Sequence, residues 1–156
     1  MTMIIDGTNG LTFPNSTIQA SAGSVLQVVQ GTYNQNGAGY TSTTSTSFQT
    51  SSLTASITPK FATSKILVSV NFAAYQTASV MFATIYRGAT NLGPANGFIE
   101  YNSAAWNMAS TQYLDSPTTV SSTTYTLYFR SGNSANTALL FGDNIINTIT
   151  LMEIAA

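Results

Sequence analysis

An all-β protein, an antiparallel sandwich or barrel, is what this sequence predicts, and three observations carry the expectation. Apolar residues alternate with polar ones at a period of two in segment after segment, the pattern of strands with one buried face. Between those segments lie "NQNGAGY", "GATNLG" and "SGNSAN", rich in the residues that turns require. No stretch of ten or more residues carries a 3.6-residue apolar period with caps at its ends. Many short strands separated by such turns make a sandwich or barrel. A chain of 156 residues is long enough for one core that buries roughly 68 to 70% of the unfolded surface.

The first element is the least ordinary. "DGTNGLTFPNSTIQASA" holds two turn dipeptides, Asp6-Gly7 and Asn9-Gly10, because Gly takes positive φ freely and Asp or Asn tolerates it. "MII" before the turns and "LTF" after them read as the arms of a short hairpin, closed by Pro14. A two-stranded hairpin is marginal in water even when its strands are longer. The segment must therefore lean on the rest of the chain or on another chain. Residues 1–22 are read as an N-terminal arm and residues 23–156 as the sandwich domain; the alternative is that "MII" and "LTF" are edge strands of the sandwich itself.

Strands are then expected at 25–33, 47–58, 65–75, 79–88, 125–130, 137–142 and 145–154. In "KILVSVNFAAY", Ile66, Val68, Val70 and Phe72 point one way and Lys65, Ser69 and Asn71 the other. "YTLYFR" sets Tyr125, Leu127 and Phe129 against Thr126, Tyr128 and Arg130. In "IINTITLMEI", Ile145, Ile149 and Leu151 oppose Ile146, Met152 and Ile154, so the end of this strand is apolar on both faces. It is expected at the centre of a sheet or at an interface, and Ile149, Leu151, Met152 and Ile154 are the expected subunit contacts. The Ser/Thr-rich "TSTTSTSFQTSS" reads as an edge strand because its β-branched threonines, Phe48 and Leu53 favour a pleated surface. The irregular section 93–122 contributes short strands or forms functional loops.

Composition narrows the function. Charged residues make up 6% of the chain against a usual value of about 25%, and the net charge is −1. A surface with so little charge self-associates unless its adhesive faces are already engaged, as in one part of an assembly. Four scattered cations, Lys60, Lys65, Arg87 and Arg130, do not suit nucleic acid, where about six to ten phosphates are commonly neutralised. No run approaches the roughly 18 apolar residues of a membrane helix, and "MTMIIDG" does not resemble a secretory signal. Synthesis in a reducing cytoplasm fits the absence of Cys.

Without His or Cys there is no Ser-His-Asp triad, Cys-His pair or ordinary zinc site, and neither cofactor nor metal is expected. A glycosidase would need two carboxyl groups about 5 to 9.5 Å apart, and Glu100 with Asp115 is the pair that folding could bring together. Binding is better supported. Glu100, Tyr101, Asn102, Trp106, Asn107, Gln112, Tyr113 and Asp115 combine aromatic rings with amides and acids. A ring can stack on the apolar face of a sugar while amides and acids bind its hydroxyls. The alternative for Tyr101 and Trp106 is a place in the core or at a subunit interface.

Two resemblances add to this reading. The opening, through Asn9 to Phe13, Pro14, Asn15, Thr17 and Gln19, resembles a segment recurrent in tail-fibre and other virion proteins of bacteriophages. "ASITPKFATSKILVSVNF" followed by "TIYRGATNLG" resembles globular domains that accompany that segment in fibres of phages infecting cyanobacteria and other marine bacteria. The order of the main strands, ending in "NTITLMEI", is similar to that of the jelly-roll domains of the tumour necrosis factor and complement globular-head superfamily. That resemblance implies a jelly-roll β-sandwich assembled as a homotrimer. Arg87 and section 93–122 depart from its simple strand-turn-strand pattern.

Together these features lead to the expectation of a non-enzymatic virion protein, a trimeric short fibre or fibre tip that attaches to a host-surface glycan or protein. Its arm, through Ile4, Ile5, Asp6, Leu11, Phe13, Pro14 and Ile18, is expected to wrap symmetry mates or dock on another virion protein. The rival expectations are a capsid decoration protein on the phage head and a glycan-cleaving depolymerase.

Overall fold

The computed structural model describes residues 24–34, 39–142 and 144–155 in full, together with the backbone of three short strands nearer the N-terminus. Those three, β1 (Ile4–Asp6), β2 (Gly10–Thr12) and β3 (Ile18–Gln19), form an antiparallel meander. Ile4 stands opposite Thr12 and Ile5 opposite Leu11, so the described parts of the two expected hairpin arms pair. Among the described residues the small sheet pairs with neither of the two larger ones. The expected arm residues Phe13 and Pro14, and the side chains of Ile4, Ile5, Asp6, Leu11 and Ile18, lie outside the described residues.

The rest is all β. In chain order come β4 (Val25–Tyr33), β5 (Thr41–Thr43), β6 (Gln49–Ile57), β7 (Lys65–Gln76), β8 (Met81–Arg87) and β9 (Thr90–Asn91). β10 (Ile99–Tyr101), β11 (Asn107–Asp115), β12 (Thr123–Ser131), β13 (Ala138–Leu140) and β14 (Asn147–Ile154) follow. One sheet runs β6-β12-β8, with β9 and β10 sharing the outer edge of β8. The other runs β4-β14-β7-β11, and β13 continues the β14 side of β7 and carries β5. Both are antiparallel, consistent with a β-sandwich.

Leaving out the meander and the short β5, β9 and β13, the pairing of the remaining eight strands is nested. The first pairs with the last (β4 with β14), then β6 with β12, β7 with β11 and β8 with β10. The chain thus folds back once, like a long hairpin, and successive pairs fall alternately into the two sheets. Alternating side chains decide the register. Ile66, Val68, Val70 and Phe72 of β7 meet Tyr125, Leu127 and Phe129 of β12 in one core, with Leu53, Ile57, Met81 and Ile85. Each such side chain contributes roughly 1.5 to 3 kcal/mol when buried. A one-residue slip would turn a whole row to water.

β14 lies between β4 and β7, at the centre of its sheet as expected. Its apolar faces have separate uses, and one expectation needs correction. Ile149 and Leu151 are fully buried in the core of their own chain, so they cannot serve as subunit contacts; Met152 and Ile154 lie on the opposite, outer face. Where β14 stops pairing with β7 and β13 begins, the Asn147 side chain replaces the missing peptide. Its Oδ1 accepts from the Ala73 N–H at 2.7 Å, and its Nδ2 donates to the carbonyls of Ile145 at 2.8 Å and Tyr33 at 3.1 Å. Asn147 is fully buried, and every polar atom of its amide is matched.

Gly31 brings β4 against β6 and closes one side of the sandwich. A Cβ there would stand 2.0 Å from the Thr54 carbonyl oxygen and 3.0 Å from Ile149 Cγ2. Gly→Ala where the backbone allows it stabilises by about 0.4 to 1 kcal/mol, but here the obstacle is backbone and cannot rotate away. Gly31→Ala is therefore expected to destabilise by about 1 to 3 kcal/mol, read as a lower urea midpoint at unchanged slope. A neutral or raised midpoint would mean that the sheets separate freely at this edge.

Candidate functional site

Section 93–122 contributes two strands, β10 and β11, joined by residues 102–106. That connection is braced from within. The Tyr101 hydroxyl donates to the Ala105 carbonyl at 2.6 Å. Asn107 Nδ2 donates to the Tyr101 hydroxyl, Ser103 Oγ and the Ala105 carbonyl, each at 3.2 Å. The Gln76 N–H donates to the Ser103 carbonyl at 3.0 Å and ties the loop to the end of β7. These bonds present Trp106.

Trp106 lies between two tyrosines. Its ring centroid is 5.2 Å from that of Tyr40 and 5.4 Å from that of Tyr75, with planes tilted by 36° and 44°. Tyr75 belongs to the outer row of β7, opposite Leu139 of β13, which itself stands opposite Ser42 of β5. Beside the indole is Gly142, where a Cβ would fall 2.2 Å from Cε2. Any larger residue there would push the ring away. The preceding Phe141 has φ of 72° although it is a fully buried aromatic residue, a backbone state that costs of order 1 to 3 kcal/mol. Its N–H bonds the Ala73 carbonyl at 2.9 Å, and its ring packs 4.5 Å from that of Tyr33. Core packing thus holds the strained turn that seats Trp106.

The other expected contacts scatter. Asp115, at the far end of β11, points inward and is only 5% exposed. Both of its oxygens accept from Arg87 Nη1, at 2.8 and 2.9 Å, and Oδ2 also accepts from the Tyr125 hydroxyl at 2.7 Å. Burial first, then the hydrogen bond to this carboxylate, push the Tyr125 phenol far above its ordinary range, so it remains a donor. Asp115 is a structural anion linking β8, β11 and β12, which corrects its expected role as a receptor contact. Tyr113 and Tyr101 pack against the core, Tyr113 with its ring 5.1 Å from that of Phe98. They too are corrected to packing residues, because their β-strand positions face inward.

Glu100 is exposed on β10, in register with Phe82 on the other sheet. Glu100 and Asp115 therefore do not form the facing carboxylate pair that a glycosidase needs. Asn102 is exposed in the loop, and Gln112 lies on the outer face of β11, with Nε2 3.4 Å from Ser69 Oγ. Of the eight expected residues, only Trp106, with Asn107 and Tyr101 as its braces, belongs to one constellation. Tyr40, Tyr75 and Gly142 complete it and were missed. No local motif marks them, because they meet Trp106 only through the β11-β7-β13-β5 register.

Two further surfaces stand out. On the five-stranded sheet, Arg130 Cζ lies 4.1 Å from the Phe82 ring centroid and 5.3 Å from that of Phe48, and the stacked pair Tyr86–Tyr128 is adjacent with centroids 3.9 Å apart. Arg130 Nη2 also donates to Asn96 Oδ1 at 2.9 Å. Guanidinium and rings cover one another here, as stacked cations and aromatics do. On the six-stranded sheet, the outer face of β4-β14-β7-β11 carries cross-strand rows without charge. Val28, Met152, Leu67 and Leu114 stand in one apolar row, and Gln30, Thr150, Ser69 and Gln112 in the next. Val28 and Leu114 are 56% and 47% exposed.

No protein-family model matches the chain, and no match to a curated protein is found.

Proposed function

We propose that this chain is a non-enzymatic structural protein of a bacteriophage virion, a homotrimeric jelly roll displayed as a short fibre or fibre tip that attaches to a host surface. The supporting observation is the nested pairing of the eight principal strands, first with last through fourth with fifth. Wound into two sheets, such a pairing suits the jelly-roll order that the sequence resemblance implies. The opening segment resembling tail-fibre proteins adds to it, since its strands pair only with each other. A meander of two- and three-residue strands is marginal alone, which suits an arm completed by a neighbouring virion protein.

The trimer is proposed to close on the charge-poor outer face of β4-β14-β7-β11. Val28, Leu67, Leu114, Met152 and Ile154 would be the apolar contacts, and Ile149 and Leu151 fill the core behind them. Lys65, in register with Ile154 at one end of this face, is the one charge among its described outward residues, so covering the rows beyond it carries little electrostatic penalty. Sedimentation of the full chain at micromolar concentration should give a species of three chains, and Leu67→Asp should give single chains with unchanged far-ultraviolet circular dichroism. Deleting residues 1–22 should leave the trimer folded yet abolish its incorporation into particles. A well-behaved single-chain species, or normal incorporation of the truncated chain, would reject this reading. Hundreds of copies on the phage head would replace the fibre by a decoration protein.

A further inference from the structure

We infer that the Tyr40-Trp106-Tyr75 cluster binds an uncharged pyranose, a hexose unit of a neutral surface polysaccharide that lays its C–H face on the indole. For its biological sense this rests on the attachment reading above; its chemistry stands on the residues. Phe72, Phe129, Tyr125 and Phe141 are at most 1% exposed, and Phe61, the other ring more than half exposed, stands apart from this cluster with no ring contact among the described residues. Tyr40 is 54% exposed, and Trp106 and Tyr75 are only partly covered. Three rings 5.2 and 5.4 Å apart with tilted planes make a shallow curved strip, apolar on its surface and polar at its phenol tips. The hydroxyls of Tyr40 and Tyr75 have no hydrogen-bond partner among the described residues, and each can both donate and accept. A pyranose offers the matching pattern, an apolar ring face rimmed by hydroxyls.

The indole at the centre of the strip is held in place before any ligand arrives. Four hydrogen bonds brace the loop before Trp106, Gly142 admits the indole, and the strained Phe141 is held by the core. Rigid aromatic side chains lose little entropy on binding. Charge selects the ligand. Asp115 is eight residues along β11 from Asn107, roughly 27 Å at strand spacing, and is already paired with Arg87. Glu100 and Arg130 belong to the other sheet, and Lys65 stands at the opposite end of β7 from Tyr75. No charged group is among the described residues that form the strip, and the charged residue next to Gly142 in the sequence is an acid, Asp143, so an acidic sugar gains nothing over a neutral one.

Trp106 is the only tryptophan, so its emission reports on this site alone. The full chain should be titrated with the methyl α- and β-pyranosides of glucose, galactose and mannose, and with alginate as an acidic counter-probe. At least one neutral glycoside should change the emission saturably, at millimolar concentration. Tyr40→Ala should weaken that binding tenfold or more at unchanged melting temperature, Tyr40→Phe should retain most of it, and Glu100→Gln should not alter it. Silence toward every neutral glycoside, a response to alginate alone, or a Trp106 shielded from acrylamide by another subunit would overturn the inference. Sugar binding without adsorption to host cells leaves the inference standing and removes the attachment reading. Adsorption that Tyr40→Ala does not weaken does the reverse.

Discussion

Arg87→Met is expected to destabilise the protein by about 2 to 4 kcal/mol, as losing one partner of a buried ion pair commonly costs roughly 3 to 5 and this guanidinium keeps some contact with water. The Arg87 side chain is 30% exposed while that of Asp115 is 6% exposed, so the charge that suffers is the acid. Without the guanidinium, Asp115 keeps only the Tyr125 hydroxyl and sits in the gap between sheets. A shift of about 2 to 4 °C in melting temperature per kcal/mol makes the effect easy to read. Asp115→Asn in the same background should restore part of the loss, because no uncompensated charge then remains. The double-mutant cycle should show strong positive coupling. Additive losses would mean that water reaches Asp115 and that the two charges act separately.

The same ion pair explains where the sequence misleads. β7 and β12 are legible because their inward positions are all apolar, as Ile66, Val68, Val70 and Phe72 show. The inward row of β11 is Ala109, Thr111, Tyr113 and Asp115, while its exposed row includes Met108 and Leu114. Read by polarity alone, that strand is inside out. The acid can face inward only because Arg87 arrives from the other sheet, and the exposed apolar residues belong to the charge-poor face proposed for subunit contact. Asp115, Gln112 and Tyr113 therefore looked like ligand-binding loop residues. Alternation locates strands but not the partners a strand will meet. Tyr40 and Tyr75 escaped for that reason, since 31 or more residues separate each of them from Trp106. The nested order has a different basis: it follows from which buried rows match, and only its resemblance to a known order was legible.

Glu153 is the second polar anchor, and its removal should change how the protein responds to acid. The side chain is fully buried on β14, and no ion pair to it is found among the described residues. Oε1 accepts from the Lys60 N–H at 2.7 Å and the Phe61 N–H at 3.4 Å, and Oε2 accepts from Gln27 Nε2 at 2.6 Å. Burial pushes its pKa up, but the Ser64 hydroxyl, Gln27 and the two backbone N–H groups together outweigh it and hold the carboxyl below its ordinary range. A folded pKa below the unfolded one means that the unfolded chain takes up the proton first as pH falls. This group's stabilisation is therefore complete above the unfolded value of about 4.3 and is lost as pH drops through the folded one. With no His and no Cys in the chain, melting temperature should be nearly flat from pH 6 to 8 and fall below about pH 5. Glu153→Gln keeps the shape but sets an amide N–H₂ among donors, at a cost of about 1 to 3 kcal/mol at neutral pH. As acid protonates Glu153 in the parent protein, the two carboxamide-like side chains become alike, so the gap between parent and variant should close toward pH 3. A gap that stays constant from pH 7 to 3 would show that the charge of Glu153 contributes nothing to the join between β14 and the β6-β7 connection.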